Sequence, residues 1–309
     1  MKYNRLGKTD ITLCSVGLGG WPFGGGYDWG ALESASALRA IDGAIESGVN
    51  WIDTAPVYGD GESERLIGRA LHTRRKTVLL ASKCGLIKNG SWTDHDLRPA
   101  SIRRQLEGSL SRLKTDYLDI YFIHYPDPHV PLEDAVGELA RLQQEGKTRA
   151  IGLCNVSAEE LNRAAAVAPV ACVQNEYSLL HPQKGENIFA ACREKHIGFI
   201  GYGTLCGGIL SGKYQTAPNL RRADARNYFY KCYRGAAFEQ AQQVVQRVRR
   251  VAREKGCAPS AVAVAWALQK NEVTSVLCGA RTPQQVAQNI QGAQVVLTAK
   301  ELAVLEEKI

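Results

Sequence analysis

No stretch of this sequence approaches the roughly 18 consecutive apolar residues that a membrane-spanning helix needs, and Met1–Asp10 carries no apolar run of signal-peptide length. Both absences predict a protein that stays in the cytoplasm and does not engage a membrane. None of the nine cysteines forms a CxxC pair, so the spacing of a zinc or disulfide framework is missing. Scattered through apolar segments, they read as small hydrophobes of a reduced intracellular chain, and no metal is expected. No G-x-G-x-x-G follows the first strand; Gly17, Gly19 and Gly20 lack that spacing, and no helix opens there. Nor do aromatics interleave with Lys and Arg as in a nucleic-acid motif. The net charge of +7 therefore fits either a solvated surface or a basic cleft for a phosphorylated ligand.

What is present is an alternation. Of the 309 residues, 45% are hydrophobic and 22% charged, an ordinary globular balance. Short apolar runs predict strands at Val16–Gly20, Asn50–Ala55, Thr77–Cys84, Asp119–Tyr125, Arg149–Asn155, Ala171–Tyr177, Ile197–Gly203 and Thr274–Ala280. They lack strict alternation, as strands covered on both faces do. Helical periodicity fills the intervals: Ser34–Ser47, Glu62–Leu71, Pro99–Leu113, Leu132–Gln144, Ala158–Ala168, Glu186–Lys195, Phe238–Lys255, Pro259–Gln269, Pro283–Asn289 and Ala299–Lys308. Arg98-Pro99 and Thr282-Pro283 place proline at a first helical position, and Ser157 with Glu160 spells a capping box. Eight strand–helix units without a polar linker predict one (β/α)₈ barrel domain over residues 1–309, in preference to a doubly wound sheet. Met1–Ser15 reads as a short hairpin capping the barrel bottom. Gly212–Ala236, after the seventh strand, is too long an irregular stretch to be an idle connector.

A parallel barrel builds its active site where the strands end. The second strand ends in Asp53-Thr54-Ala55, with Tyr58 just beyond, the third at Lys83 and the fourth at His124. Singly, these are packing, capping or snorkelling residues. Together they predict that Lys83 and Asp53 pair, since either charge alone near the barrel axis is costly. A phenol beside that ammonium is expected to have its pKa pulled down from about 10, making Tyr58 a proton donor.

The strings Asp53-Thr54-Ala55-Pro56-Val57-Tyr58-Gly59, Leu80-Ala81-Ser82-Lys83 and Ile123-His124-Tyr125-Pro126-Asp127-Pro128 resemble the aldo-keto reductase superfamily. So do Gly152-Leu153-Cys154-Asn155-Val156-Ser157, Gln174-Asn175-Glu176-Tyr177-Ser178, Gly207-Gly208-Ile209-Leu210-Ser211-Gly212-Lys213-Tyr214 and Gly279-Ala280-Arg281. The branch is similar to the bacterial general-stress and inositol-operon reductases and, more distantly, to potassium-channel β-subunits. The resemblance implies an NADPH-dependent reductase of aldehydes and ketones with Tyr58 as general acid, Lys83 and Asp53 supporting it and His124 orienting the carbonyl. An NADPH-binding redox-sensing barrel of slow turnover is the alternative. It also implies cofactor contacts from Gly20, Trp21, Asp53, Asn155, Gln174 and Gly279, with Tyr202 stacking on the nicotinamide. Gly203, Thr204, Leu205, Gly207 and Lys213 are implied at the pyrophosphate, Arg281 at a 2′-phosphate, and Gln285, Gln288 and Asn289 at the adenosine. Trp21, Tyr58, Trp92, His124 and Tyr125 are the expected pocket for a small-molecule carbonyl substrate. Cys154, Tyr125, Gln288 and Cys278 depart from the residues common in relatives. Tyr27, Trp29, Tyr228, Phe229, Tyr230 and Tyr233 are further aromatics of the rim loops. A monomer or weak homo-oligomer is expected.

Overall fold

A computed structural model describes residues 1–90 and 92–307, with positions 27 and 28 described by backbone alone. Tyr27's side chain and Lys308, the end of the expected last helix, lie outside the described residues. Strands β1 (Tyr3–Arg5) and β2 (Thr12–Cys14) form the expected antiparallel hairpin. Leu6, Ile11 and Leu13 bury their side chains beneath the barrel, and Asn4 Nδ2 donates to Thr274 O at 2.8 Å, at the amino-terminal end of a barrel strand.

The barrel strands are β3 (Val16–Gly19), β4 (Trp51–Asp53), β5 (Leu79–Asn89), then β7 (Leu118–Ile123), β8 (Thr148–Cys154), β9 (Val170–Glu176), β10 (Gly198–Tyr202) and β11 (Val273–Gly279). All pair in parallel, and pairing of β3 with β11 and of β4 with β5 closes the sheet, which rules out the open alternative. β7 and β9 are buried at every position, as a sheet covered on both faces requires. The interior is filled by setting large rings against glycine. A Cβ on Gly17 would lie 2.2 Å from Trp51, and one on Gly152 would lie 2.2 Å from Phe122. Trp51 in turn donates from its indole to Ser275 Oγ at 3.1 Å.

Around the barrel run α1 (Gly26–Trp29), α2 (Ser34–Glu46), α3 (Glu62–Ala70), α4 (Pro99–Leu113), α5 (Leu132–Gln144), α6 (Ala158–Val167) and α7 (Gln183–Lys195). After β10 come α8 (Arg226–Phe229), α9 (Gly235–Lys255) and α10 (Pro259–Ala267), and after β11 come α11 (Pro283–Gln291) and α12 (Ala299–Leu305). The caps are those the sequence spells: Ser157 and Glu160 exchange hydrogen bonds at α6, and Thr282 accepts from Gln285 N at α11. No helix among the described residues is long and apolar enough to cross a membrane.

Two expectations need correction. The third barrel strand does not stop near Cys84: β5 runs on to Asn89 and turns into β6 (Trp92–Asp96), an antiparallel ribbon standing above the rim. Gly85 at φ +97° bends the strand out of the barrel at that point. The stretch 212–236 is not wholly irregular, since it contains α8, a 3₁₀ turn at Lys231–Tyr233 and the start of α9.

Candidate active site

Asp53 ends β4, Lys83 lies within β5, and His124 follows β7, so three adjacent strands deliver an acid, an amine and an imidazole to one rim. Tyr58 comes from the loop after β4, its amide donating to Ala55 O at 3.1 Å. Lys83 Nζ lies 2.5 Å from Asp53 Oδ2 and 2.9 Å from Thr54 O, with Lys83 1% and Asp53 4% exposed at the side chain. The other Asp53 oxygen accepts from Gln174 Nε2 at 3.0 Å. The ammonium lies 5.1 Å from the centre of the Tyr58 ring, over its face. The Tyr58 and His124 rings meet edge to face at 5.8 Å. The four residues are therefore brought together as expected.

The electrostatics differ from expectation in one respect. The Tyr58 phenol is pushed well above the ordinary tyrosine value, by burial first and then by the Asp53 carboxylate. Burial dominates because a desolvated phenolate would also face the Asp53 carboxylate, and the Lys83 ammonium beneath it is already engaged by that carboxylate. His124 is held well below the ordinary histidine value, by burial and then by the Lys83 charge, and is neutral at physiological pH.

Above this floor opens a cleft of about 1140 Å³. Its walls include Asp53, Tyr58, His124, Trp21, Trp92, Tyr125, Asn155, Gln174, Tyr202, Gly203, Thr204, Leu205, Gly207, Lys213, Gly279, Arg281, Gln285, Gln288 and Asn289. Two expected residues are not on the wall. Lys83 sits behind it in its ion pair. Gly20 is structural: its amide donates to Asp53 O at 2.7 Å, its carbonyl accepts from Ser63 Oγ at 2.8 Å, and a Cβ there would lie 2.7 Å from Asp53 O. Asn155 sits at φ +57° and spans the rim, taking the Tyr202 hydroxyl on Oδ1 at 2.7 Å and giving Nδ2 to His124 O at 2.9 Å. Its amide is thus already engaged. Arg281 extends its guanidinium to the carbonyls of Trp29 and Ala31, while Gln285 Oε1 accepts from the Arg281 amide at 2.8 Å. Burial, and then nearby Arg226, lower the Arg281 pKa, and no carboxylate pairs with it among the described residues.

Several wall residues escaped the sequence reading: Val57, Leu86, Lys88, Thr93, Glu176 and Ser260. A signal for three of them was present. Asn89-Gly90 between Leu86-Ile87 and Trp92-Thr93 is a hairpin signature, and it places Leu86, Lys88 and Thr93 on a ribbon at the mouth. Ser260 had no local signal, because it looks like any first-turn residue of a helix.

A cleft at the carboxyl-terminal end of a parallel barrel, floored by a phenol and an imidazole over a buried Lys–Asp pair, defines a barrel oxidoreductase site. The family model for the aldo/keto reductase family matches residues 15–309, and the chain belongs to that family. It is 35% identical to the aldo-keto reductase YhdN of Bacillus subtilis over 290 residues, covering 93% of this chain and 87% of that one. It is 33% identical over 328 residues to the NADH-specific methylglyoxal reductase of Escherichia coli, covering 99% and 98%. The fold superposes on the glycerol dehydrogenase AKR11B4 of Gluconobacter oxydans with a TM-score of 0.89 at 32% identity, covering 99% and 94% of the two chains.

Proposed function

We propose that the chain reduces aldehydes or ketones to alcohols with NADPH, using Tyr58 as the proton donor. The observation that carries this reading is the edge-to-face pair of Tyr58 and His124, 5.8 Å apart over the buried Lys83–Asp53 pair. A phenol held above its ordinary pKa stays protonated and gives its proton only to a stronger base, which a carbonyl oxygen becomes as it gains electrons. Neutral His124 donates a hydrogen bond to the same oxygen without competing for the proton. Lys83 holds the pair's charge balance beneath the phenol and keeps Asp53 from ionising alone in a buried site.

The cofactor half of the cleft supports a dinucleotide. Thr204 Oγ1 and Ser260 Oγ are buried hydroxyls on its wall with no hydrogen-bond partner among the described residues, as groups awaiting phosphate oxygens are. Gly207 and Gly208, both on the cleft wall, adopt φ +64° and +104°, and a Cβ on Gly207 would lie 2.9 Å from the Tyr230 ring, so this part of the wall calls for glycine. When bound, NADPH supplies the hydride. Arg281, just before α11 and with no carboxylate paired to it among the described residues, favours a 2′-phosphate and hence NADPH over NADH. The nine free cysteines, eight of them buried, support a reducing cytoplasmic setting.

The test is steady-state reduction of a nitrobenzaldehyde with NADPH, alongside Tyr58→Phe. The variant keeps cofactor binding and loses roughly 10²–10⁴-fold in kcat, the usual contribution of general acid catalysis. Turnover of Tyr58→Phe within a few-fold of the parent removes the role assigned to that residue. Tight NADPH binding with negligible turnover of any carbonyl would favour the slow, regulatory alternative.

A further inference from the structure

The upper walls of the cleft carry more apolar surface than hydride transfer requires. Among the described residues six large hydrophobic side chains are exposed, and three of them, Trp92 at 75%, Tyr228 at 66% and Phe229 at 58%, line this one cleft. Apolar surface left in water costs free energy in proportion to its area, so its concentration at one mouth marks a binding surface. The rings come from opposite sides of the barrel. Trp92 opens β6 opposite Asn89, on the ribbon that continues β5. Tyr228 and Phe229 end α8 after β10, four strands around the barrel from β5. Phe229 meets Trp21 edge to face at 5.0 Å, and Trp21 lies 6.2 Å from Tyr58, so one aromatic wall runs unbroken from mouth to floor. Tyr125, 5.3 Å from His124, carries the opposite wall down.

The carboxylates that could hold the hydroxyls of a small hydroxylated carbonyl are already engaged. Of the carboxylates lining the cleft among the described residues, Asp53 is taken by Lys83 and Gln174. Glu176 is taken by His181 at 2.6 Å and Lys184 at 2.5 Å. The cleft, at about 1140 Å³, is also larger than the roughly 300–1,000 Å³ of an ordinary ligand pocket, leaving room for a bulky second molecule beside a dinucleotide.

From these observations we infer that the substrate is a carbonyl compound with an extended apolar body, two aromatic rings or the equivalent, bracketed between Trp92 and Phe229. Small hydroxylated carbonyls and small dicarbonyls are the poorer substrates. The inference rests on the carbonyl-reductase reading and names the substrate class of that site.

The test compares kcat/KM for 2-naphthaldehyde with that for methylglyoxal in the parent, Trp92→Ala and Phe229→Ala, so that intrinsic reactivity cancels. The naphthaldehyde-to-methylglyoxal ratio falls about three- to tenfold in each variant, the loss expected for one aromatic contact, and appears mainly in KM. Val296→Ser, an exposed site off the cleft wall, keeps the parent ratio. An unmoved ratio in both aromatic variants overturns the inference and leaves carbonyl reduction standing. Calorimetric titration of 2-naphthalenemethanol into the NADP⁺ complex reads the surface without turnover. If no carbonyl is reduced, the reductase reading falls. Weaker alcohol binding in Trp92→Ala then still supports the apolar site, and unchanged binding overturns it.

Discussion

Replacing Lys83 by methionine removes half of an ion pair in which neither partner reaches water, at 1% and 4% side-chain exposure. The Asp53 carboxylate keeps Gln174 Nε2 at 3.0 Å but loses the ammonium at 2.5 Å, and Thr54 O loses a donor at 2.9 Å. Breaking a buried pair from one side costs about 3–5 kcal/mol, because the surviving charge stays desolvated. Against a total stability of about 5–15 kcal/mol, that is a large fraction. At a urea slope of about 3 kcal/mol/M, the unfolding midpoint falls by roughly 1–1.7 M, read by tryptophan fluorescence. Asp53→Asn combined with Lys83→Met costs less than the sum of the single variants by about 0.5–3 kcal/mol, since the pair acts as a unit. A midpoint shift under about 0.3 M, or strict additivity in the double variant, refutes the claim that these two charges hold each other in the barrel.

The pH dependence of reduction follows from the two perturbed groups. Tyr58 stays protonated to well above its ordinary value and His124 stays neutral to well below its own. Reductive kcat/KM is therefore flat between about pH 6.5 and 10, while alcohol oxidation, which needs the phenolate, climbs across the alkaline range; a limb near pH 6.5 in the reductive profile contradicts the assignment. Arg281→Ala weakens NADPH binding roughly 10- to 100-fold, the worth of a charge-assisted hydrogen bond, and leaves NADH binding nearly unchanged. Equal losses for the two cofactors, measured by fluorescence titration, would discredit the phosphate contact.

Much of the site was legible because barrel chemistry collects at strand ends. Once the strand ending at Asp53, the strand carrying Lys83 and the strand ending before His124 are recognised, their convergence on one rim follows from parallel closure. The ribbon β5–β6 was harder to see. Its Asn89-Gly90 signature is local, but the polar residues of Trp92–Asp96 obscure the strand, four of whose five side chains are exposed. Gly20 was misplaced for a related reason: a glycine after a strand looks the same whether it yields to a cofactor or to Asp53 O.

The residue types themselves determined that this chain closes a parallel barrel, that its caps sit at Ser157 and Thr282, and that a phenol, an amine, an acid and an imidazole share one opening. Those are matters of periodicity and strand order, which are local. Only the tertiary structure decided that burial, with the Asp53 carboxylate beside it, raises the Tyr58 phenol where the nearby ammonium was expected to lower it. It alone also decided that Arg281 rests on the carbonyls of Trp29 and Ala31, and that Trp92 and Phe229 line one cleft. A charge's effect depends on distance and on what else shares its surroundings, and both are set by chain segments far apart in sequence.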